Sequence, residues 1–240
     1  MKWIQTEKEL LSPILSIVPH LVRKDCSYAV TTELPSGYRI IDIIIATLPI
    51  TWNKKDLTHF VSKLRPLTLQ SLMILERIFT FGRISKMKLA SELCIDQETL
   101  EKKYMLFLEN LGLVKKVTAF SYEITEWVDF SPSEIISIEL KLYRWKEAIE
   151  QALYNMRFAD QSYVAFPKEI FDRYEKEMKI IQHNGIGLIV VANNGHAKVK
   201  ARAKNNSQNS QKKRVDKGLQ KLRILRDLVL LDNRWKIKEH

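Results

Sequence analysis

The chain has 240 residues, of which 45% are hydrophobic and 28% are charged, and its formal net charge is +11. This composition excludes a wholly disordered chain and suits one large domain or two small ones. No apolar run reaches the ~18 residues of a membrane-spanning helix, and the N-terminus lacks a signal-peptide core, so we expect a cytoplasmic protein with no membrane partner. Cys26 and Cys94 have no CxxC spacing, which favours buried free thiols over a disulfide.

The first predicted element is a helix over residues 6–24. Thr6 and Glu9 have the spacing of a capping box, and apolar residues then recur at helical intervals. Pro13 and Pro19 interrupt or kink this pattern, because proline cannot donate the helical hydrogen bond. For Glu9, capping alone is a sufficient role.

A β-hairpin is predicted next, with strands at 27–33 and 38–47 joined by a Leu-Pro-Ser-Gly turn. The second strand is almost wholly apolar, with Asp42 between isoleucines on both sides. A buried carboxylate is costly unless it is paired, hydrogen-bonded or bound to a metal. Asp42 therefore either belongs to a site or has a structural partner such as a helix N-terminus or Arg39.

Residues 66–130 form a separate pattern of three helices followed by two short strands. The first helix ends at Gly82, and the third starts at the N-cap Asp96 and is followed by Gly112. This order resembles a winged helix-turn-helix domain. In that family the third helix commonly enters the major groove of DNA and the wing touches the backbone.

The DNA-contact candidates of this winged helix are few. They are Lys102 and Lys103 in the third helix and Lys115 and Lys116 in the wing. Glutamates near the start of the third helix oppose phosphate, and residues 84–130 contain no arginine for guanine recognition. Protein docking or dimerisation therefore remains an alternative role for this region, and a homodimer stays open.

Strands and helices alternate over residues 134–193, which predicts parallel strands with crossover helices. The expected class is α/β, with a mixed central sheet flanked by helices. The predicted strands are 134–142, 161–166 and 185–193, and the predicted helices are 145–158 and 168–182.

Glu139 and Lys141 are two residues apart in the first of these strands, so their side chains point to the same face. Together with Asp42 they supply two carboxylates and an ammonium. Carboxylates hold Mg²⁺ or Mn²⁺, and a lysine can orient a water or offset charge on a phosphate. The alternative is a charge pair on a solvated sheet face.

The order helix, strand, strand with Asp, strand with Glu-x-Lys, helix, strand resembles the restriction-endonuclease-like PD-(D/E)xK nuclease superfamily. The resemblance covers residues 6–65 and 131–193. It implies that Asp42 and Glu139 bind metal and that Lys141 is catalytic. It further implies a metal-binding acid in the first helix, Glu9 or less favourably Glu7, and a water-positioning role for Gln151.

Two departures from that family shape the predicted domains. Ile41 stands where a proline often precedes the aspartate, and 96 residues separate Asp42 from Glu139. A structureless loop of that length would be implausible, so an inserted domain is expected. We predict a discontinuous nuclease-like domain at 1–65 and 131–195, an inserted winged helix at 66–130, and a basic C-terminal arm and helix at 196–240.

The C-terminal region carries almost all of the net charge. Residues 196–240 contain 14 Lys and Arg but only 4 Asp and Glu. A flexible lysine-rich stretch and then an amphipathic helix are predicted there, either as a polyanion contact or as a solvated surface helix. The residues assigned to nucleic-acid binding are Lys198, Lys200, Arg202, Lys204, Lys212, Lys213 and Arg214.

Together these patterns predict a nuclease that needs Mg²⁺ or Mn²⁺ and hydrolyses DNA phosphodiester bonds. Two alternatives remain at this stage. One is a DNA-binding regulator that uses the winged helix and the tail on a non-catalytic scaffold. The other is an RNA-associated or protein-docking module.

Overall fold

The computed structural model divides the described chain into two compact units. The first unit holds the described residues of Met1–Trp52, Pro132–Asn209 and Leu231–His240, and the second holds those of Asn53–Ser131. Within the described part of the chain, no helix has the length and apolar character needed to cross a membrane. The described residues are 4–24, 26, 28–36, 39–47, 62–63, 65–125, 134–176, 178–206 and 236–238.

The helices and strands are numbered separately in chain order. The helices are α1 (Glu7–Leu21), α2 (Leu69–Phe81), α3 (Lys86–Leu93), α4 (Gln97–Thr99, the π-helical Leu100–Met105 and Leu106–Asn110), α5 (Trp145–Asn155), α6 (Lys168–Arg173) and α7 (Lys179–His183). The strands are β1 (Tyr28–Ser36), β2 (Arg39–Thr47), β3 (Arg83–Ser85), β4 (Val114–Thr118), β5 (Ser121–Ile124), β6 (Ile135–Leu140), β7 (Gln161–Pro167), β8 (Gly187–Val191), β9 (Ala197–Ala201) and β10 (Lys236–Lys238).

The first unit is built on a mixed seven-stranded sheet with the strand order β10-β1-β2-β6-β7-β8-β9. Strands β6, β7 and β8 are parallel, whereas every other neighbouring pair is antiparallel. Helix α5 connects β6 to β7, and α6 and α7 connect β7 to β8. The predicted α/β class, a mixed sheet with flanking helices, is therefore confirmed.

Helix α1 covers one face of this sheet. The predicted capping box is present, since the Thr6 and Glu9 side chains both accept backbone hydrogen bonds at the start of the helix. The fully buried Leu10 and Ile14 recur at helical spacing and join Ile138 of β6 in one apolar cluster. A second cluster lies between the opposite face of the sheet and α5 to α7, so the sheet is buried on both sides.

The structure has a break within a segment that the sequence predicts as one continuous helix. The predicted helix 168–182 is two helices, α6 and α7. The same apolar cluster nevertheless buries the side chains of Ile170, Met178 and Ile181. Periodicity alone therefore predicts the buried face correctly but misses the break.

The predicted hairpin turn begins too early in the sequence. Strand β1 continues through the Leu-Pro-Ser segment to Ser36, which pairs directly with Arg39. Leu34 is fully buried, and its burial draws this segment into the sheet. Glu33, with φ 54, has a left-handed backbone conformation within the strand.

The basic C-terminal region departs from its prediction in two places. Ala197–Ala201 is a strand of the sheet rather than a flexible arm, because its alternating residues are half-buried alanine or valine and exposed lysine. Lys236–Lys238, at the end of the predicted helix, is instead a strand that pairs antiparallel with β1. The rest of that helix lies outside the described residues.

The second unit contains α2 to α4 and a three-stranded sheet with the order β3-β5-β4. The helices start at side-chain caps, as Thr68, Ser85 and Asp96 each accept a backbone N–H from the first turn. Gly82 ends α2 with a φ of 66, a left-handed conformation that glycine adopts without strain. Strand β3 was not predicted from the sequence.

A π-helical segment shifts the buried face of α4. A regular helical period from Leu100 to Leu108 would bury Tyr104, but the buried residue is Met105. The spacing from Leu100 to Met105 is that of the wider π turn. Tyr104 is only half-buried as a result.

The two cysteines are both free. The prediction of free thiols is confirmed, and Cys26 is buried as expected. Cys94 is exposed, which contradicts its predicted burial, because it ends α3 in a left-handed conformation with φ 52.

Gly187→Ala should destabilise the first unit. A Cβ at position 187 would lie 2.2 Å from two ring carbons of Tyr163 and 2.8 Å from the backbone nitrogen of Ala203. We expect a loss of about 1–3 kcal/mol in the free energy of unfolding, measured by urea denaturation. Tyr163→Leu removes the ring atoms, so the double variant should lose less than the sum of the single variants. Strict additivity would contradict this explanation.

Candidate active site

Asp42 and Glu139 meet on neighbouring strands. Strands β2 and β6 are antiparallel with Ile43 opposite Ile138, and extending that register by one residue places Asp42 opposite Glu139. The two carboxyl groups are close enough for each to shift the pKa of the other. Asp42 Oδ2 also accepts the backbone N–H of Leu140 at 2.7 Å. The structure thus brings together the two acids that the sequence places 96 residues apart.

Burial makes this acid pair hard to ionise. The Glu139 side chain is buried, with only 2% of the residue exposed. Desolvation, reinforced by the negative charge of Asp42, raises the pKa of Glu139 to about 8. Desolvation also raises the pKa of Asp42, while the hydrogen bond from Leu140 and the charge of Lys141 oppose that rise. Near neutral pH the pair therefore retains a proton when no cation replaces it.

Lys141 lies one residue beyond the end of β6. Its backbone N–H donates to the Ala165 carbonyl at 3.1 Å, which holds the residue at the sheet edge. Its side chain is only 12% exposed, and its charge favours the ionised forms of both Asp42 and Glu139. The predicted trio of two acids and a lysine is therefore one electrostatic cluster.

The acid of α1 that reaches this cluster is Glu7. Its Oε1 lies 3.7 Å from the Lys141 ammonium nitrogen. Glu9, the preferred residue in the sequence-based prediction, instead uses its Oε2 to accept the backbone N–H groups of Gln5 at 2.6 Å and Thr6 at 3.3 Å. Glu9 thus takes the capping role that had been left as the alternative.

Helix α5 brings the amide side chain of Asn155 to the acid pair. Asn155 is buried, and its Nδ2 donates to Glu139 Oε1 at 2.6 Å. Gln151 lies one turn earlier on the same helical face, where its Nε2 contacts Glu147 Oε1 at 3.5 Å. Gln151 Oε1 is buried with no hydrogen-bond partner among the described residues. The sequence analysis missed Asn155, although its i+4 spacing from Gln151 signals a shared face.

A divalent metal fits the chemistry of these residues. Mg²⁺ and Mn²⁺ prefer oxygen ligands, and Mg²⁺ is often bound through one or two carboxylates with water and substrate phosphate completing the shell. Asp42 and Glu139 supply two carboxylates, and the unpartnered Gln151 oxygen offers a further acceptor. Within the described residues, no group of three or more His, Cys, Asp or Glu side chains could hold a metal.

Most of the predicted DNA-contact lysines of the second unit are paired with acids. Lys102 lies 2.6 Å from Glu98, Lys116 lies 3.0 Å from Glu101, and Lys115 lies 3.8 Å from Glu123. Lys103 lies over the ring of Tyr104. These pairs reduce the positive field that a DNA phosphate would meet.

The predicted DNA-contact residues near β9 are exposed. Lys198, Lys200, Arg202 and Lys204 all reach solvent. Lys200 lies over the ring of Phe171, and Arg202 donates to the His20 carbonyl at 3.4 Å. None of these residues forms an ion pair among the described residues. Lys212, Lys213 and Arg214 lie outside the described residues.

The metal-free protein should lose stability as the pH rises from about 5 to about 8. The folded state holds a proton on Glu139 up to a pKa of about 8, whereas the unfolded state releases it near the ordinary value of 4.5. Glu139→Gln should flatten this dependence, measured by urea unfolding in EDTA. Glu150→Gln, at an exposed position on α5, is the matched control and should retain the wild-type slope. An unchanged slope in Glu139→Gln would contradict the assignment.

The site thus combines the buried Glu139, the half-buried Asp42, Lys141 and the Asn155 amide, and Gln151 lies one helical turn from Asn155. Comparisons with known proteins found no matching family model, no matching curated protein and no matching solved structure. The function of the site is therefore inferred from its own side chains and their contacts.

Proposed function

We propose that the protein is a nuclease that uses Mg²⁺ or Mn²⁺ to hydrolyse phosphodiester bonds in DNA. The observation that supports this proposal most strongly is the convergence of Asp42, Glu139 and Lys141. Two neighbouring acids, one of which keeps its proton because burial raises the pKa of Glu139 to about 8, are costly as a purely structural arrangement. A bound cation would replace that proton and relieve the repulsion between the carboxylates.

We further assign the first unit to the restriction-endonuclease-like fold. In its favour, α1 precedes the β1–β2 hairpin, β6 pairs antiparallel with β2, and α5 leads to the parallel strand β7. This is the element order that the resemblance implies. Asp42 and Glu139 lie on the strands where that family carries its metal-binding acids.

Each side chain of the site has a distinct role in the proposed reaction. Asp42 and Glu139 would hold the metal, which would supply Lewis acidity toward the phosphate and lower the pKa of a bound water. The Lys141 ammonium offsets the negative charge that develops on the phosphate during attack. Gln151 Oε1 can accept a hydrogen bond from the attacking water and so orient it. Asn155 Nδ2 holds Glu139 in place.

We assign the second unit as an inserted winged helix on the basis of its helices, its small sheet and its position between β2 and β6. Its ion-paired lysines favour a supporting or protein-docking role over DNA reading. The exposed cations of β9 and the residues after it are better placed to neutralise phosphates. DNA binding is therefore attributed mainly to the first unit.

The purified protein should nick supercoiled plasmid DNA in Mg²⁺ or Mn²⁺ but not in EDTA. Lys141→Met should lower the cleavage rate by roughly 10²-fold or more, because the charge that stabilises the transition state is lost. Asp42→Asn and Glu139→Gln should abolish metal-dependent cleavage while the far-ultraviolet circular dichroism stays unchanged.

Lys168→Met is the matched control for the lysine variant. Lys168 is exposed on α6 and pairs with Asp172, so its removal takes away a similar charge outside the site. The control should cleave at the wild-type rate. Full activity of Lys141→Met would show that the site is wrong. A folded wild-type protein that binds DNA without cleaving it would favour the regulatory alternative.

Lysine substitutions in the two units should have unequal effects on DNA binding. Lys198→Gln with Lys200→Gln should lower the slope of log Kd against log salt by roughly 0.9 per lost phosphate contact. Lys115→Gln with Lys116→Gln removes the same formal charge from ion-paired positions and should leave the slope nearly unchanged. Fluorescence anisotropy in EDTA measures both slopes. A larger effect of the second pair would assign DNA binding to the winged helix.

A further inference from the structure

Tyr154 of α5 carries two arginine side chains against its ring. The guanidinium carbon of Arg39 lies 5.1 Å from the ring centroid, and that of Arg157 lies 5.0 Å from it. Arg39 opens β2, and Arg157 follows the end of α5, where its backbone N–H donates to the Tyr154 carbonyl at 3.1 Å. Both arginines are exposed, so this arginine–tyrosine cluster faces solvent.

Within the described part of the chain, the two cations have no acidic partner. Among the described residues, neither Arg39 nor Arg157 forms an ion pair, although many other cations of the chain do. Their guanidinium carbons are at most about 10 Å apart, since both lie near one centroid. Exposed charges near this separation are largely screened at physiological salt, so the two cations repel each other only weakly. The face of the tyrosine ring attracts both of them.

An anion would complete this arrangement. Guanidinium groups bind phosphate oxygens in a bidentate geometry, and stacking on a ring orients their planar forks before the anion arrives. Two such groups around one ring carry two positive charges, which attract the single negative charge of a phosphodiester. A phosphate placed there would gain attractive contacts with the cations.

Strand β2 and helix α5, which carry residues of the arginine–tyrosine cluster, also carry residues of the proposed site. Arg39 precedes Asp42 by three residues on β2, a separation of roughly 10 Å along a strand. Tyr154 is adjacent to Asn155, whose amide holds Glu139. Tyr154 also follows Gln151 by three residues, which places the two near each other on the helix surface. A strand of nucleic acid at the acid pair could therefore reach this cluster.

We propose that Arg39 and Arg157, held by Tyr154, bind a backbone phosphate of the DNA strand that is cleaved, next to the phosphate under attack. This inference rests on the proposed nuclease function. It assigns the cluster to substrate positioning, because Arg39 and Tyr154 are neighbours of the site along β2 and α5 and not members of the acid pair. The ring of Tyr154 acts as a platform for the guanidinium groups.

Binding of a fluorescently labelled DNA duplex in EDTA tests the proposal without requiring cleavage. The double variant Arg39→Gln/Arg157→Gln should lower the slope of log Kd against log salt by roughly 0.9, the value for one lost phosphate contact. The control Arg173→Gln/Lys179→Gln removes the same charge from exposed positions of α6 and α7 and should change the slope much less. Equal effects of the two pairs, or no effect of the first, would overturn the proposal.

The platform role of Tyr154 has its own readout. Tyr154→Phe keeps the ring and should retain the wild-type affinity, whereas Tyr154→Leu should weaken binding several-fold with little change in the salt slope. Equal affinity losses in both variants would show that the hydroxyl group, and not the ring, matters and would contradict the platform.

Cleavage kinetics separate the two proposals. In Mg²⁺, Arg39→Gln/Arg157→Gln should raise KM several-fold and leave kcat close to the wild-type value. If the wild-type protein does not cleave but the salt slope still falls in EDTA, the cluster binds DNA and the nuclease proposal alone fails. If the wild-type protein cleaves and the double variant keeps both KM and the slope, the cluster assignment alone fails.

Discussion

The electrostatic coupling between Asp42 and Glu139 is the interaction on which the interpretation of this protein depends. Two carboxyl groups on adjacent strands cannot both be ionised in a buried setting unless positive charge is close by. The chain supplies part of that charge through Lys141, and it supplies hydrogen bonds from Leu140 and Asn155. What remains uncompensated is the second negative charge, which a divalent cation is suited to balance.

The register between β2 and β6 creates this pair. Ile43 and Ile138 face each other on the side of the sheet that α1 covers, so the neighbouring acids face each other on the opposite side. A one-residue shift in the register of β2 would turn the Asp42 side chain toward α1 and move the neighbouring isoleucine side chains to the opposite face of the sheet. The apolar residues around the site thus define its geometry as much as the polar ones do.

The sequence predicts those parts of the site that follow from the alternation of side chains along a strand. Asp42 is conspicuous in an apolar strand, and Glu139 and Lys141 follow the two-residue period, so their convergence could be predicted once the strands were paired. The choice between Glu7 and Glu9 could not be predicted. It depends on which carboxylate caps α1. The capping-box spacing assigns Glu9 to the cap but does not predict that the Glu7 carboxylate lies near Lys141.

Other features depend on tertiary contacts that periodicity does not encode. Strand β9 was predicted as a flexible arm because lysines dominate its composition, yet the alternating alanine and valine residues find an apolar cluster beside α1. The π-helical segment of α4 moves burial from Tyr104 to Met105, which a regular period of 3.6 residues cannot anticipate. Composition and hydrophobic period are properties of one segment, whereas strand pairing and burial depend on the residues that pack against it.

The hydrogen bonds that join Thr47 and Glu134 have a consequence for how the chain reaches its native state. The Thr47 N–H donates to the Glu134 carbonyl at 2.9 Å, and the Glu134 N–H donates to Thr47 Oγ1 at 2.8 Å, across 87 positions of sequence. Pairing β2 with β6 therefore closes a very long loop, an entropic cost that slows folding. Early formation of the helices and strands within residues 65–125, which lie between β2 and β6 in the sequence, would shorten the effective loop and so assist assembly of the sheet that carries the acids.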